Sequence, residues 1–187
     1  MQKEIQVFLN AVEKVLNGHT FFITFDNYVD RSEIEDKSLI KNAVLSKEFD
    51  LKLLEADLNH HDGVFFHSPT DNGKLVPKVD GFLKKSPSIS SLNSPDAIDY
   101  LVSMLTTTGA TNTFWSPYKT QMGNRKAECV TNSFLAVLGS KNGLRFYKLE
   151  TNFVFDSVGF WDHLGSDSIT AILTKKRLFF LFTNGGD

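Results

Sequence analysis

Apolar positions follow two periods along this chain. Ile5, Phe8, Leu9, Val12, Val15 and Leu16 recur at helical spacing, and Asn17-Gly18 supplies a stop. From His19 to Phe25 the period becomes two, with Phe21, Ile23 and Phe25 on one side and Thr20, Phe22 and Thr24 on the other, which predicts a strand. Ser32-Glu33-Ile34-Glu35 has the form of a capping box: the hydroxyl can accept from the Glu35 amide while the Glu35 side chain reaches back. A second helix follows to about Ser46, supported by Glu33 and Lys37 at i, i+4. Phe49 to Leu58 fits both periods, since Phe49, Leu51 and Leu53 alternate whereas Leu54 and Leu58 suit a helix. Asp71-Asn72-Gly73 is a turn between two short extended runs, and Pro77 confines its strand to an edge or to the start of a ladder. Ser94-Pro95-Asp96 reads as N-cap, N1 and N2 of a third helix carrying Ile98, Leu101, Val102 and Leu105, stopped near Gly109.

From Thr111 onward the pattern reads mostly as strand, with loops at 116–128 and 159–167. Ser133 to Leu138, the turn ending in Asn142-Gly143, and Leu144 to Leu149 form a predicted hairpin. Ser168 to Leu173 and Leu178 to Phe182, joined by Thr174 to Arg177, form a second. The last of these strands is apolar at nearly every position, so it belongs in the middle of a sheet with both faces covered. The order of elements predicts an α+β fold: an antiparallel sheet built from C-terminal hairpins, with about three helices packed on one face. The strands are too few for a propeller, which needs at least about four blades of four strands. Residues 1–187 are expected to form a single domain, with Lys84 to Pro95, rich in Ser, Lys, Asn and Pro, as an internal linker or loop.

Composition narrows the function classes. A formal net charge of −2 argues against a dedicated nucleic-acid binder, and Lys119, Arg125 and Lys126 are too short a basic cluster for a phosphate track. No run reaches the roughly 18 apolar residues of a membrane span, and the N-terminus carries Glu4 within an amphipathic pattern, unlike a signal peptide. The one cysteine, Cys129, cannot form an internal disulfide, in keeping with a reducing compartment. A soluble, cytoplasmic protein is expected, without nucleic-acid or membrane partners. With 17 Phe residues, its core should be rich in aromatic rings.

Four groups of residues bear on chemistry. Cys129 and His163 supply a thiol and an imidazole, with Asp156, Asp162 and Asp167 near the histidine and Gln121 or Asn124 upstream of the cysteine as amide donors. This order, together with the terminal Gly185-Gly186-Asp187, loosely resembles the papain-like viral leader proteases over the last third of the chain. The resemblance implies a cysteine nucleophile and a histidine base. It departs from that family in its short Cys–His separation and in the hairpin, where the family's cysteine opens a helix. The plainer reading makes Cys129 a small buried hydrophobe.

His60, His61, Asp62 and His67 are residue types that bind zinc. Placed on a strand, adjacent histidines face opposite ways, so only one of His60 and His61 could serve. Read as a polar surface turn, they assign no metal and no cofactor. Gly18-His19-Thr20 matches half of the two-histidine phosphoesterase pattern, but no second His-x-Thr or His-x-Ser exists, and His19 reads as structural.

The fourth group is a surface. Acidic residues concentrate before Asp80, among them Glu33, Glu35, Asp36, Glu48, Asp50, Glu55, Asp57 and Asp62. They could form a solvated face or steer a basic partner. Trp115, Tyr118 and Trp161 lie in predicted loops, where aromatic side chains act as core lids or interface anchors. With no complete catalytic set, the chain reads as a non-enzymatic protein-binding module, such as an inhibitor, an immunity protein or an accessory factor. Its partner surface would use Glu33, Glu35, Asp36, Trp115, Tyr118 and Trp161. A Cys129–His163 hydrolase and a structural subunit of a viral or other particle are the alternatives.

Overall fold

In the computed structural model, β6 (Ser168–Leu173) and β7 (Arg177–Asn184) form the predicted C-terminal hairpin, pairing from Leu173 opposite Leu178 to Ser168 opposite Thr183. Thr174 holds the turn: its hydroxyl accepts from the Lys176 and Arg177 amides. All six residues of β6 are buried, because the strand lies in the middle of a five-stranded antiparallel sheet. The order is β1 (His19–Asp26), β7, β6, β5 (Arg145–Leu149), β4 (Ile89–Leu92). The structure describes residues 2–16, 18–26, 33–78, 86–106, 122–140, 143–150 and 168–184. Trp115, Tyr118, Trp161 and His163 lie outside them.

Both faces of this sheet are covered, and the alternation in β1 divides the core accordingly. Phe21, Ile23 and Phe25 face a cluster with Phe180, Phe182, Ile40, Val44, Phe49 and Leu53. Ile40 and Val44 come from α2 (Glu33–Leu45), Phe49 and Leu53 from α3 (Lys47–His61). Phe22 faces the other cluster, with Phe179, Leu181, Phe8, Leu101 and Phe134. The last three belong to α1 (Lys3–Leu16), α4 (Ser94–Ser103) and α5 (Asn124–Leu138). The α+β class expected from the sequence holds, but five described helices cover the sheet rather than three on one face: α1, α4 and α5 lie on one side, and α2 and α3 cover the opposite one. A two-stranded sheet of β2 (His67–Pro69) and β3 (Leu75–Pro77) completes the described elements, with Pro77 in a strand that has a single partner.

Several sequence expectations are corrected. Ser133 to Leu138 is not the first arm of a hairpin but the end of α5. Six mixed residues cannot separate the two periods, whereas burial of Ala127, Thr131, Phe134, Leu135 and Leu138 follows a helical repeat. The ambiguous stretch from Phe49 is helix α3, capped by Ser46, whose hydroxyl accepts from the Phe49 amide at 3.2 Å. The segment read as a linker carries β4, an edge strand whose two central serines need no burial, and the α4 N-cap is Asn93, one residue earlier than read.

Asp36 is not a surface residue. It is 1% exposed, takes the Tyr147 hydroxyl at 2.6 Å, and is gripped by the Arg145 guanidinium at 2.6 and 3.0 Å. A carboxylate on a helix that lies over a sheet can be buried only with such partners. Asp50 and Asp57 are also buried, which thins the acidic face expected along the first half of the chain.

Candidate functional site

The strand β1 ends the sheet, so one of its edges lacks a strand partner among the described elements. In an antiparallel pair, alternate residues aim both backbone groups at the neighbour or both away. Thr20 is of the second kind: its amide donates to Glu13 Oε1 at 2.9 Å, and its carbonyl meets His61 Nε2 at 2.7 Å. Phe22 and Thr24 share its parity and therefore turn their backbone groups outward.

A cleft of about 360 Å³ opens along this edge. Its α1 side is mainly apolar, lined by Ile5, Leu9, Val137 and Leu138, with Gln2 and Arg177 also on the cleft. Its α3 side is polar, lined by Lys52, Glu55, Asn59 and His60. Phe21 to Thr24 form the floor.

A cluster of titratable groups closes one end. Glu13 projects from α1, and Oε1 accepts from the Thr20 hydroxyl at 2.8 Å and meets His60 Nε2 at 3.0 Å. His61 Nε2 lies 3.9 Å from the same oxygen. The His19 ring stands edge-on to His61, with centroids 5.2 Å apart. The end of α3 holds the two histidines in place. Asp62 adopts a left-handed conformation, and the Gly63 amide returns to Asp57 O at 3.0 Å. Gly63 is required here, with φ at +76° and a Cβ position only 3.0 Å from Leu75 Cδ1.

His60 and His61 thus converge, against the expectation that only one could serve, because they end a helix rather than lie on a strand. Asp62 caps that helix. His67 is occupied elsewhere, its Nδ1 2.8 Å from the fully buried Asp57 carboxylate, which also accepts the Phe65 and Phe66 amides. Sequence reading missed Glu13, whose partner His60 is 47 residues away and which has no local signature.

Burial pushes the Glu13 carboxyl up, but the hydrogen bonds from His60 and Thr20 outweigh it and hold the group below its ordinary 4.5. Burial lowers His61 and His19 below 6.5. In the unfolded chain these imidazoles take up protons near 6.5, and in the fold only below that. Their contribution to stability is therefore full above 6.5 and declines as pH falls through it toward the folded values. Glu13 adds a second loss below 4.5. Chelator-treated protein is expected to unfold at lower urea at about pH 5.5 than at about pH 7.5. An equal or higher midpoint at the lower pH contradicts this.

The Cys129–His163 pair is not assembled within the described residues, since His163 lies outside them. Cys129 is on a helix, but in its second turn and exposed, contrary to the buried reading. A bulky maleimide is expected to label it in the native protein nearly as fast as in urea. Labelling limited by unfolding would restore the buried reading. Of the acidic surface candidates, Glu35 is exposed on α2, and Glu33 opens that helix.

No helix among the described residues is long and apolar enough to cross a membrane. Compared with protein-family models, curated proteins and solved structures, the chain finds no match in any of the three, so its site is read from its own geometry.

Proposed function

We propose that this chain is a protein-binding module that takes an extended segment of a partner as an added strand on the edge of β1. The observation that carries the reading is an outward-facing run of strand backbone at Phe22 and Thr24, set as the floor of a cleft. Strand addition supplies affinity through main-chain hydrogen bonds and specificity through alternate side chains. The outward groups recur about every 6.8 Å, the spacing at which an added strand pairs with them.

The two walls state the chemistry of the occupant. Side chains on one side of the added strand meet Ile5, Leu9, Val137 and Leu138, and those on the other meet Lys52, Glu55, Asn59 and His60. An alternating apolar–polar segment fits these two walls. Glu13 and His61 satisfy the outward groups of Thr20 and so end the open edge there.

The test is selection from a displayed library of short peptides in alternating and scrambled patterns. Alternating sequences are expected to be enriched, and their binding should slow hydrogen exchange at the Phe22 and Thr24 amides. Thr24→Pro removes an outward donor without touching the ladder to β7 and should weaken binding about tenfold or more while leaving stability nearly unchanged. Enrichment without regard to pattern, or equal binding by a stable Thr24→Pro protein, would overturn the reading.

A further inference from the structure

We infer that Glu13, His60 and His61 form a binding site for a divalent transition metal of the zinc class. One ligand atom from each lies within 4.8 Å of the other two, and all three side chains are partly buried. Two imidazole nitrogens and a carboxylate are a donor set that zinc accepts, with a further position left for water or a carbonyl. The inference does not depend on strand addition at β1.

The three donors come from two helices held in fixed relation. Glu13 is tied to β1 through the amide and hydroxyl of Thr20. The histidines end α3, whose last turn is locked by Asp62 and Gly63. A site assembled before the ion arrives avoids part of the ordering cost of binding.

Without an ion the same atoms form hydrogen bonds, and binding exchanges those for metal bonds. His60 Nε2 now faces Glu13 Oε1, so the ring proton on that nitrogen must move to Nδ1 when the metal takes its place. Gln6 Nε2 now lies 3.5 Å from His60 Nδ1 and donates to Asn10 Oδ1, so it is Gln6 Oε1, brought round by an amide turn, that would accept from the new Nδ1–H. Turning over the Gln6 and Asn10 amides reverses that chain of donors and fixes the ligand tautomer. His61 Nε2 similarly exchanges the Thr20 carbonyl for the metal, its proton also moving to Nδ1. That carbonyl oxygen is 2.7 Å from the same nitrogen, close enough to become a further ligand. No net proton is lost when neutral rings change tautomer.

The experiment uses the full chain carrying Cys129→Ser, so that the exposed thiol cannot bind the ion, after removal of metal with a chelator. Titration with zinc sulfate is followed by calorimetry and thermal unfolding. One ion is expected to bind per chain and to raise Tm, as any ligand specific to the folded state does. Glu13→Gln, His60→Gln and His61→Gln should each weaken binding about tenfold or more, since changes to the outer shell of a metal site alone reach that size. Because a variant could fail to fold, the imidazole resonances of the parent protein give a second readout. Zinc should shift those of His60 and His61 and leave His67 unmoved. Absence of one-to-one binding, folded variants that bind like the parent, or shifts confined to other histidines would overturn the inference.

Discussion

Asp36→Ala is expected to destabilise the fold by about 3 kcal/mol, a large share of the stability of an ordinary domain. The carboxylate is 1% exposed and joins α2 to β5 through Tyr147 and Arg145. Its removal leaves the buried Tyr147 hydroxyl without its acceptor, which costs about 1–3 kcal/mol by itself. It also leaves a guanidinium whose attraction is lost. The Arg145 side chain is 32% exposed and can turn toward water, which keeps the total near the low end of the range for broken buried pairs. Asp36→Asn retains an acceptor for Tyr147 and should lose less. Equilibrium urea unfolding measures both. A loss under about 1 kcal/mol for the alanine variant would mean that the Asp36 cluster does not hold α2 to the sheet. The measurement also separates a structural Asp36 from the surface role expected from the sequence, because a surface contact would leave the midpoint unchanged.

Phe49→Ala should cost about 3–5 kcal/mol, the usual range for deleting a fully buried phenylalanine. Phe49 is 0% exposed and packs against Phe25, Phe180 and Phe182, with ring centroids 6.3, 5.3 and 5.9 Å away. These partners belong to the sheet, so the cavity opens between α3 and the strands and rigid strands cannot collapse into it. Leu51→Ala is the informative control. Strand alternation would place Leu51 beside Phe49 and Leu53, and the two deletions would then be comparable. On the helix, Phe49 and Leu53 are 0% exposed whereas Leu51 is 57% exposed. Its deletion should cost less than about 0.5 kcal/mol. Comparable losses at Phe49 and Leu51 in urea unfolding would contradict α3.

Where the local pattern had a single solution, the sequence was enough. The α1 stripe from Ile5 to Leu16 and the β1 alternation each recur often enough to separate a period of 3.6 from one of two. The continuous apolar character of Leu178 to Phe182 places β7 between two covered faces, because no solvated strand can carry it. Where a segment was short or mixed, the period was undetermined, and tertiary contacts decided it. Ser133 to Leu138 could serve a strand as well as a helix, and becomes α5 because Phe134 stacks on Phe8 of α1 at 4.3 Å. Ile89 to Leu92 is too polar to read as a strand, yet β5 offers it a free edge.

The site lay further from the sequence than the fold did. His60 and His61 were visible as a pair of ligand types, but their direction depended on whether they end a helix, which the ambiguous period before them did not say. Glu13 has no signature, since a lone acid on an amphipathic helix ordinarily points to water. Only the packing of α1 and α3 against β1 brings it within 3.0 Å of His60. The sequence by itself determined the apolar faces and the local period of the longer elements, because hydrophobic spacing acts within one segment. The tertiary structure alone decided that Asp36 is a buried tie, that β1 is an edge among the described strands, and that Glu13 meets two histidines. Sheet order and helix placement set those contacts between residues far apart in the chain, and no local pattern encodes them.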